Sequence, residues 1–204
     1  LVARTTPVDK AAKRTLGLSL FVVDLPDPAV EIIPIEKHGI NYSKTFEMYV
    51  ENLRVPAENL LGEADKGWYS VLDTLNPERM SFSAAACGLG LLAIRKAVDY
   101  AKERKVFDEP IGSYQAVQFP LAEAKAKIEA TRLLNYKAAM LYDEGQDCGA
   151  EANMAKVAAV EAGTSAVYHA MQAFGGYGYA VEYDVERWWR EVNLIRLAPV
   201  THQM

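Results

Sequence analysis

Apolar and polar positions follow two different periods along this chain, and the change comes shortly after Pro56 and Gly62. From Leu16 to about Leu61 the apolar runs are short and rich in β-branched and aromatic residues: Leu18-Ser-Leu-Phe-Val-Val-Asp24, Val30-Glu-Ile-Ile-Pro-Ile35 and Thr45-Phe-Glu-Met-Tyr-Val-Glu51. Pro26, Asp27, Pro28, Gly39 and Asn41 punctuate them, so the runs predict strands joined by turns. Phe46, Met48 and Val50 alternate with Glu47, Tyr49 and Glu51, which predicts one buried and one wetter face, as in an antiparallel sheet.

From about Gly67 onward apolar residues recur three and four apart with Ala and Leu dominating, the pattern of amphipathic helices. Helices are expected at roughly 66–105, 114–144, 150–174 and 181–197, broken at Pro110-Ile-Gly112, at Glu144-Gly-Gln-Asp-Cys-Gly149 and at Gly175-Gly-Tyr-Gly178. Short breaks between long helices favour antiparallel neighbours. The expected fold is therefore α+β: the end of an antiparallel β domain over residues 1–64, followed by a C-terminal antiparallel four-helix bundle over residues 65–204. The run Ala84-Ala-Ala-Cys-Gly-Leu-Gly90 lets another backbone come close, either at a subunit interface or, the favoured reading, in tight bundle packing.

Composition narrows the classes. Half of the 204 residues are hydrophobic, enough for a sizeable core. A net charge of −5 with interspersed signs argues against a nucleic-acid surface, which needs a clustered basic excess. No unbroken apolar run reaches the roughly 18 to 20 residues of a bilayer span, and no signal-peptide pattern opens the chain, so no membrane is expected. Cys87 and Cys148 lack metal-ligand spacing and read as thiols in a reducing compartment; with three histidines and no clustered acids, no metal site is expected. The opening Val-Ala-Arg-Thr-Thr-Pro reads as a surface loop entered midway, and the chain as a fragment.

The most informative stretch is Glu103 to Gln118, where a helical pattern gives way to an Arg, an aromatic, a Pro-x-Gly turn and a polar restart. Arg104 offers a fork of donors suited to phosphate, Phe107 a stacking face and Gln115 a partner for a polar ring edge. Together they suit an anionic, aromatic nucleotide cofactor. A basic helix C-terminus followed by a turn accounts for the same residues without any ligand.

Arg104-Lys-x-Phe107, Pro110-Ile-Gly-x-x-Gln-Ala-Val-Gln118, Ala130-Thr-Arg-Leu-Leu134, Ala155-Lys156, Gln172-Ala-Phe-Gly-Gly-Tyr-Gly-Tyr179 and Tyr183-Asp-Val-Glu-Arg-Trp-Trp-Arg190 stand in this order. In this the chain resembles the C-terminal half of the acyl-CoA dehydrogenase family from about Gly17 to Met204. The resemblance implies a flavoprotein that oxidises a saturated acyl-CoA to the trans-2,3-enoyl-CoA with FAD as acceptor and an electron-transfer flavoprotein as reoxidant. It also implies a homo-oligomer, dimer or tetramer, because a neighbouring subunit supplies part of each cofactor site. The location expected is cytoplasmic, or the mitochondrial matrix in a eukaryote. Family members are about twice as long, with an N-terminal helical domain and the first part of the β domain ahead of this sequence.

Removing the α-proton of a thioester needs a carboxylate base. Many relatives carry it in a Glu-Gly-Thr after the last helix, where this chain reads Ala198-Pro199-Val200-Thr201. In isovaleryl-type and some long-chain members the base projects from the first long helix instead, and by that resemblance it is Glu78, with Asn76 and Pro77 lining the thioester pocket and Arg79 contacting substrate or orienting charge. Asn76-Pro77-Glu78 equally resembles an N-cap, a first-turn proline and an acid at a helix start, and Arg79 a surface ion-pair partner. The resemblance gives Gln172, Gly175 and Gly176 contacts to the adenosine-diphosphate end of the flavin, with Arg104, Phe107 and Gln115, and gives Thr201 and Gln203 further flavin contacts. Asp108 stands where many relatives have Gly. Tyr177, Tyr179, Tyr183, Trp188 and Trp189 read as packing residues rather than cofactor contacts. A catalytically silent scaffold and a flavin oxidase or monooxygenase on the same fold are the alternatives.

Overall fold

The computed structural model describes residues 1–198, 200 and 201, and its contacts divide the chain into two units, Leu1–Leu75 and Asn76–Met204. In the first unit, β1 (Val2–Arg4), β2 (Leu18–Phe21) and β5 (Leu60–Leu61) form an antiparallel sheet in the order β1-β2-β5, with Ala3 opposite Ser19 and Leu20 opposite Leu61. The opening residues are thus a paired strand and not the surface loop expected. Ser19 is fully buried, and its hydroxyl meets the Thr5 hydroxyl at 2.7 Å and accepts from the Asp65 amide at 2.8 Å. Buried polar atoms satisfied in this way fix the chain around the sheet.

A second antiparallel pair, β3 (Val30–Ile35) with β4 (Thr45–Val50), matches the expected strands. The expected burial pattern fails there: every residue of β4 is exposed, including Phe46, Met48 and Val50. The pair has no second layer within its own unit, and a lone two-stranded sheet has nothing against which to bury a face.

The helices are α1 (Gly67–Glu103), α2 (Gln115–Asp143), α3 (Gly149–Phe174) and α4 (Val185–Leu197). The last starts later than expected, because a 3-10 turn over Gly175–Tyr179 runs into extended Ala180 before Asp184 takes the N-cap position. Helix α1 begins in the first unit, where a Cβ on Gly67 would come within 2.7 Å of the Ser19 backbone, and supplies most of its length to the second. Ala86, Ala93 and Ala97 of α1, Ile128 of α2, Val160 and Val167 of α3 and Val192 of α4 are fully buried in one core.

Small residues let α1 and α3 touch. A Cβ on Gly163 would fall 2.6 Å from the Ala86 carbonyl oxygen, and one on Gly90 would stand 3.2 Å from the Gly163 Cα. The Gly/Ala run of α1 therefore serves bundle packing, while Gly88 faces open space. Judged by a window that tolerates a few polar residues rather than by an unbroken run, α1 is also the one described helix long and apolar enough to cross a membrane.

Candidate active site and cofactor groove

All the described candidate residues lie in the second unit, and they fall into two groups at opposite ends of α1. Asn76, Pro77, Glu78 and Arg79 occupy the early part, well inside the helix, so the N-cap and first-turn reading of Asn76-Pro77 does not hold. Pro77 has no N–H to donate and removes one helix hydrogen bond. All four residues are half-buried. Arg79 donates to Asn76 Oδ1 at 3.0 Å and forms no ion pair among the described residues, so the surface-pair reading also fails. The Glu78 carboxylate accepts no hydrogen bond from the described residues.

Facing this turn of α1 is Lys156 of α3, only 3% exposed, whose ammonium donates to the Val200 carbonyl just after α4. Burial pushes the Lys156 pKa down from its ordinary value; Arg79 pushes it the same way and Glu78 opposes. Thr201 is the next residue along and shares this end. The structure thus adds a buried cation to the group around Glu78. Its sequence signal was available: Lys156 stands between Ala152 and Ala159 at helical spacing, on the buried side of an apolar face.

At the other end of α1 a groove of about 840 Å³ is lined by Tyr100, Arg104, Phe107, Gln172, Gly175 and Gly176 among others. Its volume lies in the roughly 300–1,000 Å³ range of small-molecule sites. Five residues chosen from sequence line this one groove. Gln115, the first residue of α2, is exposed next to the lining residue Tyr114. Gln203 lies outside the described residues. The Arg104 guanidinium makes no hydrogen bond or ion pair with the described residues, leaving its donors for an anion.

An unexpected hairpin builds one wall. Strands β6 (Lys105–Val106) and β7 (Glu109–Pro110) pair through a two-residue turn, Phe107-Asp108, with φ of 54° and 67°. Both central residues have positive φ, the turn that best matches strand twist and that Gly serves most cheaply at its second position. Asp108 tolerates the conformation, as Asp does more readily than most side chains. Phe107 does not; a bulky side chain there is strained, and its ring is 89% exposed at the tip. The Tyr114 hydroxyl braces the hairpin by donating to the Val106 carbonyl at 3.0 Å.

The opposite wall is the end of α3. Gly175 caps it at φ 60°, and neither Gly175 nor Gly176 has an atom within 4 Å of where a Cβ would stand, so the backbone is open to an approaching group. Beneath them Tyr100 stacks on Phe174 at 4.4 Å, and Tyr183 meets Phe174 at 5.4 Å and Tyr177 at 5.2 Å. Of the aromatics expected to pack in the core or at an interface, Trp188 is core, Trp189 and Tyr179 are exposed in the single chain, and Tyr177 lines the groove. Free donors, an aromatic face and open glycine backbone suit an anionic nucleotide.

Residues 65–199 match the model of the acyl-CoA dehydrogenase C-terminal domain. The chain belongs to the acyl-CoA dehydrogenase family. It is 39% identical over 198 residues to an acyl-CoA dehydrogenase of Mycobacterium tuberculosis, covering 96% of this chain and 51% of the relative. It superposes on the glutaryl-coenzyme A dehydrogenase–glutaryl-CoA complex with a TM-score of 0.92 at 35% identity, covering 99% of this chain and 51% of the other. On the FAD complex of PigA the TM-score is 0.92 at 25% identity, covering 99% and 52%. The chain spans about half the length of the curated relatives it matches. As in other acyl-CoA dehydrogenase structures, antiparallel strands precede a four-helix bundle.

The two groups of this family member are far apart. Along α1 the axial distance from Glu78 to Tyr100 is about 33 Å. Among the described residues no three His, Cys, Asp or Glu side chains come together to hold a metal ion. Cys87 and Cys148 are buried free thiols, and burial pushes Cys87 up to about 11.

Proposed function

We propose that this chain is the sheet-and-bundle part of an FAD-dependent acyl-CoA dehydrogenase that oxidises a saturated acyl-CoA thioester to the trans-2,3-enoyl-CoA. Glu78 is the base. Its side chain stands half-buried on α1 without a hydrogen-bond donor among the described residues, which leaves its lone pairs available for the α-proton of a thioester. Asn76, Pro77 and Arg79 line the same turn, and the Arg79 bond to Asn76 holds both side chains in place. Bound FAD supplies the acceptor for the β-hydrogen as hydride. Arg104, Gln172, Gly175, Gly176 and the Phe107 ring would hold its adenosine-diphosphate end, with Gln115 beside them. Thr201 would contact it from the Glu78 end.

One observation carries the arrangement: the separation of about 33 Å between the base and the groove. An extended flavin dinucleotide is shorter than that. A single FAD held in the groove of one protomer would therefore serve the Glu78 site of a second, in a homo-oligomer. Its exposed hairpin tip, with Phe107 projecting, is then covered by the partner's cofactor. An electron-transfer flavoprotein reoxidises the reduced flavin.

The test is anaerobic mixing of the full-length protein with acyl-CoA thioesters while flavin absorbance is followed. Bleaching that is lost in Glu78→Gln is the expected result. Failure to bind flavin at all points to a scaffold, and rapid bleaching followed by peroxide on admitting air points to an oxidase; either result overturns the dehydrogenase reading.

A further inference from the structure

Lys156 is a charged side chain that the reaction above leaves without a role. Burying an ammonium costs several kcal/mol unless it is paired and hydrogen-bonded, and Lys156 is 3% exposed on a helix face otherwise made of Ala152, Ala155 and Ala159. Two things offset that cost. One is the bond it donates to the Val200 carbonyl, which ties the segment after α4 to α3. The other is Glu78 across the interface on α1, the acid that acts on it. Arg79, also on α1, is the remaining charged group acting on Lys156, and it opposes the ammonium's charge.

We propose that Lys156 is a positioning residue for the proton-abstraction site: its buried ammonium holds the Val200-Thr201 segment against α3. This rests on Glu78 being the base. The carbonyl bond fixes Thr201, one residue on, where a main-chain shift of an ångström would misalign the flavin contact it makes. One side chain thereby ties α3 to the flavin-facing segment after α4.

In the full-length flavoenzyme Lys156→Met is expected to lower kcat by up to about 100-fold, with a smaller change in KM. Lys156→Arg, which keeps a donor for the Val200 carbonyl, restores kcat. Hydrogen exchange of peptides covering residues 194–201, in the same protein without substrate, reads the segment without catalysis: protection falls in Lys156→Met and stays in Lys156→Arg. Wild-type kcat and wild-type protection in Lys156→Met, while Glu78→Gln is inactive, would overturn the positioning role and leave the base intact. Full activity in Glu78→Gln would instead remove the base, and the role of Lys156 with it.

Discussion

The two ends of α1 present opposite environments. Around Glu78 the side chains are half-buried, Lys156 is almost wholly enclosed, and the charged groups face one another. Around Arg104 the guanidinium is exposed, Phe107 sits strained and bare at a hairpin tip, and Gly175 and Gly176 offer open backbone. The first sets a half-buried carboxylate near an enclosed cation, the setting in which the proposed base would work. The second has the presented donors and aromatic surface of a binding site for something outside the protomer. One helix holds them about 33 Å apart along its axis, the separation on which the proposed sharing of one cofactor between protomers rests.

Substitutions can break this contrast to different degrees. Glu78→Gln in the full-length enzyme should lower flavin reduction by about 10² to 10⁴-fold, the usual worth of a general base, while leaving flavin affinity unchanged. Arg104→Ala should do the reverse, weakening FAD binding by about 10- to 100-fold through a lost charge-assisted bond, as read by titration of the apo-protein. The frame that keeps the ends apart is tested by Gly163→Val, whose first side-chain atom would meet the Ala86 carbonyl at 2.6 Å; urea unfolding should show a loss of about 1 to 3 kcal/mol. Asp108→Gly, which relieves a residue held at φ 67°, should give the smallest effect, a gain of about 1 kcal/mol with flavin affinity equal or higher.

Much of this was legible in the chain, and the failures have physical causes. Apolar periods of three and four marked all four helices because each buries a continuous stripe, as Ala86, Ala93 and Ala97 do in α1. Local pattern did not reveal the partner strand of β2, since Val2–Arg4 pairs with residues well separated in sequence. Alternation in β4 was read correctly as a strand and wrongly as half-buried, because alternation reports what a face is suited to, and β3 and β4 have nothing packed on them within their unit. Pro77 looked like a helix start because proline is cheap there; the helix begins ten residues earlier by packing Gly67 on β2. Arg104, Phe107, Gln172, Gly175 and Gly176 were found through their ordered motifs and meet in one groove. Lys156 was visible in the same motif series, but its role depends on α1 and the segment after α4 meeting α3, which no local pattern encodes.

Mixed oligomers test the proposed sharing of one cofactor between protomers most directly. Glu78→Gln and Arg104→Ala variants of the full-length protein, each inactive or flavin-poor alone, are unfolded together and refolded with FAD, and flavin reduction by acyl-CoA is measured. In a hybrid dimer one site combines an intact Glu78 with an intact Arg104 from the other protomer, so random mixing should restore about a quarter of the wild-type activity. Activity no greater than the sum of the two parents would contradict the shared site.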